Sequence, residues 1–170
     1  MQMFVRKVLL LLLTLEPCCS SNWRVQDTET SEGLYDVSFV TSELGWAVGS
    51  DGAILRTSDS GSSWLLQYQG KQVSWRSVSF ASSTVGWAVG GSLSILYTDS
   101  AGERWAYQQH IYGDSGIFTA VQAVTSLLTW VVSDDGGIFR SIDGGKTWGL
   151  QYQVSTHTPP KMCVMRHGYA

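Results

Sequence analysis

At 170 residues, 44% hydrophobic and 15% charged, the chain has the length and apolar content of one domain with a packed core, which excludes a disordered polymer. A net charge of −3, with no basic run longer than Arg6-Lys7, excludes a dedicated nucleic-acid binder, because such proteins carry a basic face. Eight Trp and 18 Gly against three Pro point to many turns and packed strands, while three His leave little for metal or acid–base chemistry.

Residues 1–20 predict a signal or targeting peptide. Arg6 and Lys7 supply the positive start, Val8 to Leu13 an unbroken apolar run, and Cys18 and Ser20 the small residues of a cleavage site. The run is far short of the roughly 20 residues that span a bilayer, so no transmembrane span is expected. Cys18 and Cys19 would leave with this peptide or sit at its edge, and Cys163 would remain alone, so no disulfide framework is expected. The single Asn opens Asn22-Trp23-Arg24, which is no glycosylation site.

From Trp23 onward the chain repeats. Trp23, Trp64, Trp105 and Trp148 step by 41, 41 and 43 residues. Trp46, Trp87 and Trp130 step by 41 and 43, each 18 residues ahead of the next member of the first column. Only Trp75 falls outside the two columns. Val37, Val78 and Val121 keep the same step, which places the two extra residues of the third unit between Trp105 and Val121.

Each unit carries four strand signals. In the first they are Leu34 to Phe39, Gly45 to Gly49, Ala53 to Thr57 and Trp64 to Tyr68. Val, Ile, Leu and aromatic residues suit a pleated surface, and Gly, Ser and Asp punctuate it. Ser50-Asp51-Gly52 and Asp134-Asp135-Gly136 predict tight hairpin turns. No long stretch has a helical period. Four strands per 40–45 residues is the pattern of propeller blades. The expected fold is all-β: a partial β-propeller of three four-stranded antiparallel blades of about 41 residues. Counted between tryptophans, the blades span 23–64, 64–105 and 105–148, with a strand running on to 153. Residues 154–170 read as an irregular tail or a truncated fourth repeat. Three blades cannot close a ring, since propellers use about 4–8. The chain is therefore expected to be a piece of a longer propeller or one part of a homo-oligomer that closes it.

An eight-residue Asp box joins the third and fourth strands. Thr57, Asp59, Gly61 and Trp64 form it in unit one, and Ser141, Asp143, Gly145 and Trp148 in unit three. Unit two keeps Thr98, Gly102 and Trp105 but has Ser100 in the aspartate column. A short carboxylate opening a turn can accept backbone N–H bonds from the residues beyond it, and Ser100 would cap the same turn more weakly. The glycine permits a positive φ, and the tryptophan is expected to bury a large face against neighbouring sheets. These are structural roles; no metal site or catalytic residue is expected from them.

The blade G-W-A-V-G…I-L-R-T…D-S-G-x-x-W resembles the repeat of the photosystem II assembly and stability factor family. Gly45 to Gly49 and Gly86 to Gly90 match it best, and the resemblance covers about residues 23–153. Asp boxes also occur in sialidases, xyloglucanases and sorting receptors; the G-W-A-V-G element favours the assembly factors. The resemblance implies an exported or thylakoid-lumenal propeller that binds newly made photosystem II reaction-centre subunits, without enzyme activity or cofactor. It also implies about seven blades, where this chain has three and an opening strand at Trp23. The family's arginine column is kept at Arg56 and Arg140, with Tyr97 in unit two. Together with Arg76 these are the candidate binding residues, since guanidinium groups make bidentate contacts with acidic or polar segments.

Two other readings compete. A glycan-active hydrolase needs two carboxylates across one cleft, about 5–10 Å apart. Asp51 and Asp135 read better as hairpin formers, and Asp36 has no counterpart in its column, which continues as Ser77 and Ala120. A generic extracellular interaction repeat would use the same surface with another partner. His110, His157 and His167 lack zinc-like spacing, and Cys163 lacks an implied histidine partner. Gly144-Gly145-Lys146-Thr147 precedes a strand rather than a helix, so it is no phosphate loop.

Overall fold

The computed structural model describes residues 26, 28, 30–68, 73–108 and 116–153. The expected leader, Trp23, His110 and the tail with His157, Cys163 and His167 lie outside the described residues.

The described residues form three four-stranded antiparallel sheets, each an up-and-down meander. The first holds β1 (Leu34–Phe39), β2 (Gly45–Gly49), β3 (Ile54–Thr57) and β4 (Leu65–Tyr68). The second holds β5 (Trp75–Phe80), β6 (Gly86–Gly90), β7 (Ser94–Thr98) and β8 (Ala106–Gln108). The third holds β9 (Phe118–Ala123), β10 (Thr129–Ser133), β11 (Ile138–Ser141) and β12 (Gly149–Tyr152). The only helical element among the described residues is a 3-10 turn at Ser50–Gly52, at the first expected hairpin. Each sheet closes with the strand that follows a box tryptophan, so a repeat counted from tryptophan to tryptophan stops one strand before its sheet does. First strands lie side by side, β1 against β5 and β5 against β9, so the sheets stack as the blades of a partial propeller.

Alternation within the second strands explains the stacking. Trp46 and Val48 join Phe80, Trp75 and Val78 in a core between the first two sheets. Trp87 and Val89 join Phe118, Val121 and Val131 in a core between the second and third. Ala88 lies between Trp87 and Val89 in sequence and belongs to the first core, on the opposite face of β6. Period-two geometry thus gives a central blade two apolar faces, one for each neighbour. Trp75, outside both tryptophan columns, is fully buried at the head of β5. It shares a repeat position with Leu34 and Phe118, so that column is apolar without being tryptophan.

The two glycines of G-W-A-V-G have separate causes. A Cβ on Gly45 would meet the Phe39 ring at 2.7 Å, and one on Gly86 the Phe80 ring at 2.6 Å. Unit three has Ala123 opposite Thr129 at this pairing, a smaller residue facing a larger one. Gly49 and Gly90 instead admit the carbonyl oxygens of Gly33 and Ser74. The segment therefore encodes a ring lying over one strand end and a backbone crossing the other.

Candidate functional site

The eight-residue joint is a turn anchored on one hydroxyl. In the first sheet the Thr57 hydroxyl accepts the Gly61 amide at 2.9 Å and donates to Asp59 Oδ1 at 2.8 Å. Asp59 also accepts the Ser63 amide at 2.9 Å and the Ser63 hydroxyl at 2.6 Å. The third sheet repeats this: the Gly145 amide reaches Ser141 at 2.8 Å, and Asp143 accepts the Ser141 hydroxyl at 2.8 Å, the Thr147 amide at 2.9 Å and the Thr147 hydroxyl at 2.5 Å. In the second sheet the Gly102 amide reaches Thr98 at 3.0 Å, and Ser100 accepts the Arg104 amide at 3.1 Å. Ser100 thus keeps the amide bond, while position 104 offers no hydroxyl.

Electrostatics follow from these bonds. The Ser63 hydroxyl and amide, then the Thr57 hydroxyl, hold the Asp59 carboxyl below its ordinary value. At Asp143 burial is the largest single influence and pulls upward, but the Thr147 hydroxyl and amide with the Ser141 hydroxyl outweigh it, and the carboxyl is again lowered. Both carboxylates spend their acceptor capacity inside their own turns.

Gly61, Gly102 and Gly145 adopt φ of +84°, +81° and +82°, the conformation that favours glycine. The preceding residues Ser60, Ala101 and Gly144 are left-handed too, at 63°, 57° and 74°. Only one of these three is glycine, so composition gave no sign of it. The box tryptophans Trp64, Trp105 and Trp148 are half-buried; complete burial belongs to Trp46 and Trp87 of the other column. Trp64 and Trp105 present their rings edge-on to the phenylalanines of their own sheets, Phe39 and Phe80, at 6.0 and 5.9 Å.

A glutamine column went unread in the sequence, although Gln67, Gln108 and Gln151 each follow a box tryptophan by three residues. Gln108 accepts the Trp87 indole N–H at 3.2 Å and donates to the Gly144 carbonyl of the next sheet at 2.9 Å. A Cβ on Gly145 would strike the Gln108 carboxamide, and one on Gly102 the Gln67 oxygen. Gln67 and Gln108 therefore each press on the box glycine of the following blade.

The arginine column runs beside the tryptophans. Strand register sets Arg56 opposite Trp46, Tyr97 opposite Trp87 and Arg140 opposite Trp130. The Arg140 guanidinium lies 5.5 Å from the centre of the Trp130 ring, and the Tyr97 ring lies 5.3 Å from that of Trp87. Arg56 is half-buried, and its Nε is buried with no hydrogen-bond partner among the described residues. Arg56 and Arg140 lie on the first and third sheets with the second between them, so register alone does not gather them. Arg76 is exposed on β5, and its guanidinium covers the Tyr35 ring at 4.4 Å.

Asp36 is a strap between sheets. Its Oδ2 accepts the Ser77 hydroxyl at 2.7 Å and the Val78 amide at 2.9 Å, while Oδ1 accepts the Val37 amide at 2.9 Å. Ser77 and Ser79 repeat the device, accepting the Val121 and Ala123 amides at 3.2 and 3.0 Å. Asp51 lies in the first hairpin turn at φ 48°, and Asp135 accepts the Ser133 hydroxyl and the Gly137 amide in the third. Among the described residues no three His, Cys, Asp or Glu side chains stand together as a metal site. No helix among them is long and apolar enough to cross a membrane.

Comparison with known proteins gives a consistent picture. The model of the family described as "Photosynthesis system II assembly factor YCF48" matches residues 15–162. Among curated proteins none matches. A structure of YCF48 bound to D1 peptide superposes with a TM-score of 0.69 at 26% identity, over 76% of this chain and 44% of that one. YCF48 from Cyanidioschyzon merolae gives 0.65 at 22% identity, over 76% and 43%. A GH74 xyloglucanase from Xanthomonas campestris shares the fold at 0.52 and 17% identity, over 64% and 18%. The chain thus spans less than half the length of either YCF48 structure.

Proposed function

The chain belongs to the photosynthesis system II assembly factor YCF48 family, and from that premise we propose that it is a non-catalytic scaffold that binds a segment of the photosystem II subunit D1. One observation carries the reading: a YCF48 structure 26% identical to this chain is bound to D1 peptide. The arginines give it a chemistry. Arg56, Arg76 and Arg140 offer guanidinium groups to acidic or carbonyl-rich peptide, and those of Arg76 and Arg140 already lie over aromatic rings. The proposed place of action is the thylakoid lumen, where assembly factors meet newly inserted reaction-centre subunits.

The hydrolase reading has no observation in its favour. Its candidate, Asp36, is engaged by three donors, two of them from the neighbouring sheet. The xyloglucanase likeness, at 17% identity, speaks for fold alone.

The test is a titration of labelled synthetic peptides tiled across D1 against the 170-residue chain, read by fluorescence anisotropy. Saturable binding to one segment is expected, weakened several-fold or more by Arg76→Ala or Arg140→Ala at unchanged circular dichroism. If no D1 segment binds, the proposal fails.

A further inference from the structure

At one end of every sheet two loops are tied together: the turn after the first strand and the box joint. The Ser60 amide reaches the Glu43 carbonyl at 3.1 Å, the Ala101 amide that of Thr84 at 2.9 Å, and the Gly144 amide that of Leu127 at 3.0 Å. Glu43, Thr84 and Leu127 therefore hold one place in three repeats. Ser58, Asp99 and Ile142 share the second position of the box, and Ser62, Glu103 and Lys146 the sixth. All nine residues are exposed. In the first two sheets all of them are polar; in the third they are leucine, isoleucine and lysine.

Leu127 and Ile142 are 58% and 64% exposed. The open side of the third sheet is not the cause. The second sheet has a neighbour on each side, yet Thr84 and Asp99 are exposed there all the same. A further blade would leave these two columns in solvent. The apolar pair also belongs to one patch. A Cβ on Gly144 would lie 3.9 Å from Leu127 Cδ2, so the leucine rests against the box that carries Ile142 two residues earlier and Lys146 two residues later.

Shape and charge select what meets this patch. Leu127 lies in the loop between β9 and β10, and Ile142 and Lys146 in the loop between β11 and β12, at strand ends rather than in a cleft between sheets. A peptide is held by a groove or a strand edge, whereas the boundary of a bilayer admits projecting apolar side chains with a cation beside them. Lys146 is that cation; Asp143 turns both carboxylate oxygens to Ser141 and Thr147. At the same two box positions the second sheet carries Asp99 and Glu103, which an anionic surface repels. We infer that the box end of the third sheet docks on an anionic lipid surface. Leu127 and Ile142 enter the boundary between headgroups and acyl chains, and Lys146 pairs with headgroup phosphates. The inference does not rest on D1 binding.

The test is co-sedimentation of the 170-residue chain with vesicles of equal parts phosphatidylcholine and phosphatidylglycerol, and with vesicles of phosphatidylcholine alone. Binding to the mixed vesicles is expected, weaker to the zwitterionic ones and falling as salt rises. Leu127→Thr, Ile142→Ser and Lys146→Ser each import the residue that another sheet carries at the same place, a choice that keeps the fold; far-UV circular dichroism checks it. The first two should each weaken binding about fivefold or more through lost apolar burial. Lys146→Ser should weaken it about fivefold and flatten its salt dependence. The apolar run from Val8 to Leu13 is present in all four proteins, so the comparison among them isolates the patch. Should one variant unfold, the other two still read the same surface. Failure to bind the mixed vesicles would overturn the inference, as would binding that the variants leave unchanged. So would D1-peptide binding that these variants abolish while vesicles are ignored, which would make the patch part of a protein interface.

Discussion

The indole of Trp46 lies flat on the ring of Phe80, 3.5 Å between centroids and within 9° of parallel. One residue comes from β2 and the other from β5, so a single contact joins two blades. Trp46 is fully buried and its N–H is spent on Ala101. Trp46→Ala should therefore cost about 3–5 kcal/mol, the range for deleting a large buried aromatic side chain. Urea unfolding followed by far-UV circular dichroism measures it. A loss below about 1 kcal/mol would show that the stack is not what couples the sheets.

The architecture was legible because its signals are local. Trp46 and Trp87 mark the second strands, the box residues mark the joint before the fourth, and both columns repeat often enough to fix the period. The left-handed state of Ser60 and Ala101 was not legible, since neither residue type announces it. Nor were the straps: Asp36 reads as a lone acid until β5 brings Ser77 and Val78 to it. Gln108 looks like an ordinary strand residue until Gly144 of the next blade meets it. For the arginines, sequence gave the column but not its setting, because only strand register places each beside a tryptophan. In each case the missing information lies between blades, where a repeat alignment compares residues without saying which of them touch.

Adjacent glycines in the third box should respond differently to one methyl group. Both Gly144 and Gly145 have positive φ. At Gly144 a Cβ would approach the Ser126 carbonyl at 3.3 Å, and Ala101 already fills the equivalent position of the second box. At Gly145 it would strike Gln108, which bridges Trp87 and Gly144. Gly144→Ala should cost less than about 1 kcal/mol and Gly145→Ala about 2 kcal/mol or more, combining left-handed strain with a displaced bridge. Thermal melts of the two variants should differ clearly; equal melts would remove the glutamine from the account.

Removing the carboxylate of Asp36 should loosen the first two sheets. Asp36→Ala leaves the Val78 amide and the Ser77 hydroxyl without their acceptor, a loss of about 1–3 kcal/mol. Asp36→Ser should recover part of it, because Ser77 fills the same role at the next interface by accepting the Val121 amide. Hydrogen exchange at Val78 gives the site-specific readout: faster in the alanine variant, intermediate in the serine one. Unchanged protection in Asp36→Ala would show that the strap carries no load.

Ser100 offers the reverse experiment, a repair. Ser100→Asp gives the second turn the carboxylate that the other two possess, aimed at the Arg104 amide that Ser100 now engages at 3.1 Å. The gain at neutral pH should be about 1 kcal/mol, that of one charge-assisted bond replacing a neutral one at an exposed turn. It should fall short of a complete box, since Arg104 brings no hydroxyl where Ser63 and Thr147 do. Its pH dependence has a definite sign. Asp59 and Asp143 have folded values below the ordinary 3.8, so the stability they confer is complete above that pH. It drains away as the pH falls through their lowered folded values. The new aspartate should follow the same course, so the variant should melt higher than wild type near neutrality and lose that lead in acid. A lead that persists in strong acid would mean that the gain comes from something other than the ionised carboxylate.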